Sequence, residues 1–138
     1  MTGYSNTGLT ASTSYSYRVR AYNTVGDSDY SATATAMTQA ASVVPAAPTN
    51  LKATASSRSQ INLSWTDNSD NETGFKIERC KGSTCTNFSQ IATVGANATS
   101  YSNTGLNANT TYRYRVRAYN AAGNSGYSNI AAATTLKR

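Results

Sequence analysis

Residues Thr111-Tyr112-Arg113-Tyr114-Arg115-Val116-Arg117-Ala118-Tyr119-Asn120 alternate with a period of two, the pattern of a β-strand with one buried face. Tyr112, Tyr114, Val116 and Ala118 fall on one side, and Arg113, Arg115, Arg117 and Tyr119 on the other. Three arginines are not buried without partners, so their side faces out and the Tyr/Val/Ala side faces a core. The stretch occurs twice. Tyr15-Ser16-Tyr17-Arg18-Val19-Arg20-Ala21-Tyr22-Asn23 repeats it at an offset of 97, and residues 1–38 align with 98–135 without a gap at about two-thirds identity.

The offset divides the 138 residues into one full repeat, 48–138, and the C-terminal part of another, 1–38. Between them, residues 39–47 are small, carry Pro45 and lead into Pro48, which reads as a stiff, extended linker. Met1 aligns with Ala98, inside a repeat, so the chain is expected to be a segment of a larger gene product. Ser, Thr, Asn, Ala and Tyr dominate, and short Thr/Val/Tyr-rich runs between Asn/Gly/Ser clusters read as all-β. In residues 1–38 the pattern predicts three strands, Thr2–Asn6, Tyr15–Asn23 and Ser31–Thr38. In 48–138 it predicts Leu51–Ala55, Gln60–Trp65, Gly74–Arg79, a return strand through Ile91 and Val94, Tyr101–Asn103, the arginine strand, and a last strand at about Ser128–Leu136. Seven short strands around one inward tryptophan, Trp65, argue for two packed sheets.

Several motifs carry a resemblance: Pro48-x-x-Leu51, Ile61-x-Leu63-x-Trp65, Gly74-Phe75-x-Ile77-x-Arg79, Gly105-Leu106 and Thr110-x-Tyr112-x-Tyr114-x-Val116-x-Ala118-x-Asn120-x-x-Gly123. With these the sequence resembles a fibronectin type III domain of the kind found in tandem in bacterial extracellular proteins. The resemblance covers 48–136 as a whole domain and 1–38 as the last three strands of one. It implies an immunoglobulin-like seven-stranded β-sandwich preceded by a partial sandwich of three strands, with Trp65 in the core. Tyr112, and by the repeat Tyr15, fall where the family places its tyrosine corner. Two departures stand out: Ala108 replaces the usual proline after Gly-Leu, and no Arg-Gly-Asp occurs. The second leaves integrin-type adhesion through that loop without support.

The chain has no histidine, and its six carboxylates, Asp27, Asp29, Asp67, Asp70, Glu72 and Glu78, form no pair set in an apolar run. Neither an imidazole base nor an acid/base pair is therefore expected, no glycine-rich phosphate loop opens a helix, and the reading is not an enzyme and needs no cofactor. Cys80 and Cys85 are too few for a zinc site and flank a polar hairpin tip. They read as a disulfide, which fits an oxidising, extracytoplasmic compartment, with two reduced thiols as the alternative. The loop Asp67–Gly74 offers oxygen ligands for calcium but lacks EF-hand spacing, and reads instead as Asx turns.

Residues 48–138 hold ten Lys/Arg against four Asp/Glu, which accounts for the net charge of +6. The outward row Arg113, Arg115, Arg117 and Tyr119, with Lys76 on the neighbouring strand, is a candidate ligand face for sugars or acidic polymers. A solvated sheet face is the other reading. The arginines alternate along strands instead of forming a basic arm, so nucleic acid is not an expected partner, and no apolar run is long enough to insert in a membrane. Expected partners are other copies of the chain or adjacent fibronectin III repeats, and polysaccharide; the expected location is extracellular or on the cell surface, with any signal upstream. In residues 1–38 the residues Tyr15, Tyr17, Val19 and Ala21 lack the strands that would cover them. The expected function is a structural or spacer segment of a repetitive surface protein or filament. The alternative is a carbohydrate- or surface-binding accessory module of a secreted hydrolase.

Overall fold

The computed structural model describes residues 1–138 and contains ten strands and no helix. They form two compact units, Met1–Ser42 and Val43–Arg138. In the first unit, β1 (Ser14–Tyr17) and β2 (Ala34–Met37) make an antiparallel pair with Tyr15 opposite Ala36 and Tyr17 opposite Ala34. The second unit contains β3 (Thr49–Ala55), β4 (Ile61–Thr66), β5 (Gly74–Lys81), β6 (Ser89–Gly95), β7 (Ser100–Asn103), β8 (Thr111–Asn120), β9 (Gly123–Asn124) and β10 (Ala131–Thr134). One sheet runs β3-β4-β7 and the other β10-β8-β5-β6, with the two-residue β9 turning back on the end of β8. This is the expected immunoglobulin-like sandwich of seven main strands.

The core is the meeting of two alternating faces. Ile61, Leu63 and Trp65 of β4 are buried against Phe75 and Ile77 of β5 and Tyr112, Tyr114, Val116 and Ala118 of β8. Each large apolar side chain removed from water here contributes about 1.5–3 kcal/mol. The Trp65 and Phe75 rings meet at 5.6 Å and a tilt of 54°, an arrangement that the ring quadrupoles favour. Polar ties join the sheets at one end. Asn103 Oδ1 of β7 accepts from the Tyr114 hydroxyl at 2.9 Å and from Arg79 Nη1 at 3.0 Å. The Val43 carbonyl accepts from the Asn71 and Asn120 side-chain amides, and Pro45 and Pro48 are buried. The stretch from Val43 onward is therefore bound to the second unit.

Residues 1–38 differ from the strand expectation in an instructive way. Thr2–Asn6 forms no strand, and the strand expected over Tyr15–Asn23 ends at Tyr17. In the second unit β10 pairs only with Thr111–Tyr114, and the rest of β8 is held as strand by β5, with Glu78 opposite Arg115 and Gly74 opposite Tyr119. The first unit has no counterpart of β5, so regular pairing stops where β2 stops. Likewise β7 is a strand because β4 pairs with it, Leu63 opposite Tyr101, and Thr2–Asn6 has no such neighbour. Everything that does not need the absent strands is reproduced at the same offset. The Val19 and Ala21 amides donate to the Ser31 and Ser28 hydroxyls, as Val116 and Ala118 donate to Ser128 and Ser125.

Gly74 marks the closest approach inside the second unit. A Cβ there would lie 2.2 Å from the Val94 carbonyl oxygen and 3.2 Å from the Tyr119 ring, so the backbone itself has to yield. We expect Gly74→Ala to destabilise the second unit by about 1–3 kcal/mol in urea unfolding. Gly95, opposite Gly74 in the ladder, has open space at its Cβ position, and Gly95→Ala should stay within about 0.5 kcal/mol of wild type. A second expectation concerns hydrogen exchange. In β8 the amides of Arg115 and Arg117 face β5, since strand amides alternate and those of Val116 and Ala118 face the other way. Arg115 and Arg117 should exchange at least about a hundredfold more slowly than their counterparts Arg18 and Arg20.

Candidate functional site: the outer face of the four-stranded sheet

The register of β5 and β8 builds the outer face. It sets Cys80 opposite Arg113, Glu78 opposite Arg115, Lys76 opposite Arg117 and Gly74 opposite Tyr119. Directly facing pairs on one side of a sheet interact most strongly. Arg115 grips Glu78 with Nε at 3.0 Å and Nη2 at 2.7 Å, both on Oε1, and Arg117 Nη2 lies 3.7 Å from Oε2. The Glu78 side chain is only 7% exposed, whereas Arg115 and Arg117 are 27% and 25% exposed.

Two aromatic rings interleave with the arginines, and neither was among the residues singled out from the sequence. The Tyr127 ring lies 3.8 Å from the Arg115 guanidinium carbon and 4.7 Å from that of Arg117, and its hydroxyl donates to Glu78 Oε2 at 2.6 Å. The Phe88 ring lies 4.5 Å from Arg115 and 5.8 Å from Arg113. Lys76 sits 4.9 Å from the centre of the Tyr119 ring and donates to Asn124 Oδ1 at 2.9 Å. Arg113 Nη1 donates to the Cys85 carbonyl, and Cys80 and Cys85 are joined in a disulfide beneath it. The row of Arg113, Arg115, Arg117, Tyr119 and Lys76 is thus brought together, but as a layer whose cations already stack on the protein's own rings. Tyr127 was findable. Its counterpart Tyr30 lies 3.7 Å from Arg18 and 4.9 Å from Arg20, so the repeat preserves the stack in both units. Phe88 has no counterpart in residues 1–38.

Burial opposes the charge of Glu78, but the Tyr127 hydroxyl and the two arginines outweigh it and hold the carboxyl below its ordinary value of 4.5. Burial, and then the bond to Glu78, push the Tyr127 phenol up. The loop Asp67–Gly74 turns two of its three carboxylates inward and leaves Asp70 exposed. Asp67 accepts from the Ser69 amide and hydroxyl, and the buried Glu72 accepts from Ser69 Oγ at 2.9 Å and the Asn97 amide at 2.9 Å. The Asn97 bond is the main cause of the lowered Glu72 carboxyl. Tyr112 and Tyr15 occupy matched corners, accepting from the amides of Asn107 and Thr10, both at 3.1 Å.

The pattern of the family described as "Fibronectin type III domain" matches residues 46–134. The chain belongs to that family. Among proteins it is similar to are an alpha-amylase of Niallia circulans, 46% identical over 94 residues, and chitinase A1 of the same organism, 35% identical over 136. The matches take in 66% and 93% of this chain but only 7% and 18% of those two proteins. A crystal structure of domains from titin superposes with a TM-score of 0.66 at 28% identity, over 88% of this chain and 41% of the other.

Two outcomes follow for the face. Both lowered carboxyls stabilise the fold above their unfolded values, and that gain is lost as pH falls through their folded values. Stability should therefore decline below about pH 4.5. Glu78→Gln should cost about 1.5–3 kcal/mol at neutral pH and make that acid decline shallower, measured by urea unfolding across pH. Reduction of the Cys80–Cys85 bridge should lower stability by about 2 kcal/mol, its six-residue loop being short.

Proposed function

We propose that the chain is a non-catalytic spacer segment of a repetitive extracellular protein, built from fibronectin type III repeats in tandem. The observation that carries this reading is the repeat itself: register, serine-to-backbone bonds, tyrosine corner and arginine–tyrosine stack recur at one offset of 97 residues. A chain that repeats the same strand pair, corner and stack at one fixed offset is suited to setting distance. The disulfide supports a location outside the cytoplasm. Electron microscopy with mass analysis of the native material tests this. Regular beaded strands or filaments, with an axial period of one or two domains, are expected; a monodisperse globular particle carrying its own catalytic activity would overturn the reading.

A second reading, an accessory module that holds polysaccharide for a hydrolase, draws support from the amylase and chitinase relatives. The outer face of Lys76, Arg113, Arg115 and Arg117 around one carboxylate adds to it. Here the protein should co-sediment with insoluble polysaccharide. The combined Lys76→Ala and Arg113→Ala variant, which spares the two arginines paired with Glu78, should lose most of that retention.

A further inference from the structure

The outer face of the second unit carries more positive charge than it compensates. Lys76, Arg113, Arg115 and Arg117 share it with one carboxylate, Glu78, which Arg115 grips and Arg117 approaches only to 3.7 Å. The other carboxylates of the unit, Asp67, Asp70 and Glu72, lie in the loop before β5, and none pairs with the row. Lys76 and Arg117 stand directly opposite in the ladder, where like charges repel. They take separate partners: Lys76 Nζ donates to Asn124 Oδ1 and lies over the Tyr119 ring, and Arg117 stacks on Tyr127. Stacking on a neutral ring leaves the charge without a counter-charge. Arg117 Nε is buried without an acceptor.

The first repeat shows that this excess is particular to the second. At the offset of 97, Asn124 and Gly126 stand where the first repeat has Asp27 and Asp29. Asp27 holds Arg20, the counterpart of Arg117, at 2.9 Å. The neutral Asn124 gives Arg117 no such counter-charge, so a carboxylate from outside the chain would supply what Asp27 supplies within it.

We propose that the corner formed by Lys76, Arg117 and Asn124 binds the carboxylates of a uronic-acid polysaccharide. The inference rests on the accessory-module reading and narrows its ligand to an acidic glycan. A guanidinium and an ammonium side by side can donate to the two oxygens of one carboxylate. Asn124, and Thr93 facing Lys76 on β6, are exposed and offer hydrogen bonds to sugar hydroxyls. A neutral glycan or a nucleic-acid base would look instead for open ring faces. Each of Phe88, Tyr119 and Tyr127 already lies against a cation. The face therefore offers charge and hydrogen bonds more than stacking.

The test is calorimetric titration of the full 138-residue chain with soluble polygalacturonate. The same polymer fully methyl-esterified, which keeps the sugars and removes the charge, is titrated in parallel. At about 50 mM salt the acidic polymer should bind with a Kd of about 100 μM or tighter, and at least about tenfold more tightly than the ester. Asn124→Asp copies the carboxylate of the first repeat and still accepts from Lys76, so the fold is kept; it should weaken binding at least about fivefold. Lys76→Glu should weaken it at least about tenfold. Lys52→Glu makes the same change in net charge on β3 of the other sheet, and should stay within about twofold of wild type. Equal affinity for the ester would overturn the proposal while leaving the accessory-module reading in place. Absence of binding to both polymers and to insoluble polysaccharide would remove that reading too. The proposal also falls if Lys52→Glu weakens binding as much as Lys76→Glu, or if duplex DNA binds more tightly than polygalacturonate at the same salt.

Discussion

The pairing of β5 with β8 is the constraint on which the rest of the molecule depends. β10 accompanies β8 for only four residues, Thr111–Tyr114. Beyond that point β8 is a strand because residues from Gly74 to Glu78, some forty positions earlier, run antiparallel to it. That one ladder places Tyr114 and Val116 in the core, aligns Glu78 under Arg115, and presses Gly74 against Val94 and Tyr119. Without it there is what the first unit displays: a short hairpin with the right register, followed by a stretch held by serine hydroxyls, a few isolated backbone bonds and the Arg20–Asp27 pair.

The two units therefore work as an internal comparison. The same four inward residues are all buried in one, whereas in the other Val19 and Ala21 are exposed and Tyr15 and Tyr17 only half-buried, although their identities do not differ. Local chemistry travels with the sequence. The Tyr15 and Tyr112 corners, the left-handed backbones at Gly8 and Gly105, and the Tyr30 and Tyr127 stacks all recur. Each is closed within about thirty residues and needs no distant strand. Burial does not recur, because removing a side chain from water requires a second surface.

On the outer face, partnership changes the meaning of charge. An alternating row of arginines suggests donors free for a ligand, but the facing strand supplies Glu78, and Phe88 and Tyr127 cover the guanidinium planes. Lys76 and Arg113 are the cations on this face that Glu78 does not engage, Lys76 on Asn124 and Arg113 on the Cys85 carbonyl. The layer is then first a stabilising one. The alternation of β8 made the face legible, but Phe88 was not, since it stands in an irregular stretch with no period. Tyr127 was legible only through its repeat.

The sequence by itself determined the strand alternation, the inward faces, the 97-residue period and the family, because these are carried by the spacing of residues along one chain. It also determined the corners and turns that close locally. Only the tertiary structure decided which copy of the repeated strand is buried, where each strand ends, and whether an arginine is free or paired. Those properties belong to contacts between segments far apart in sequence, and the repeated stretch acquires them or not according to whether a β5 lies alongside.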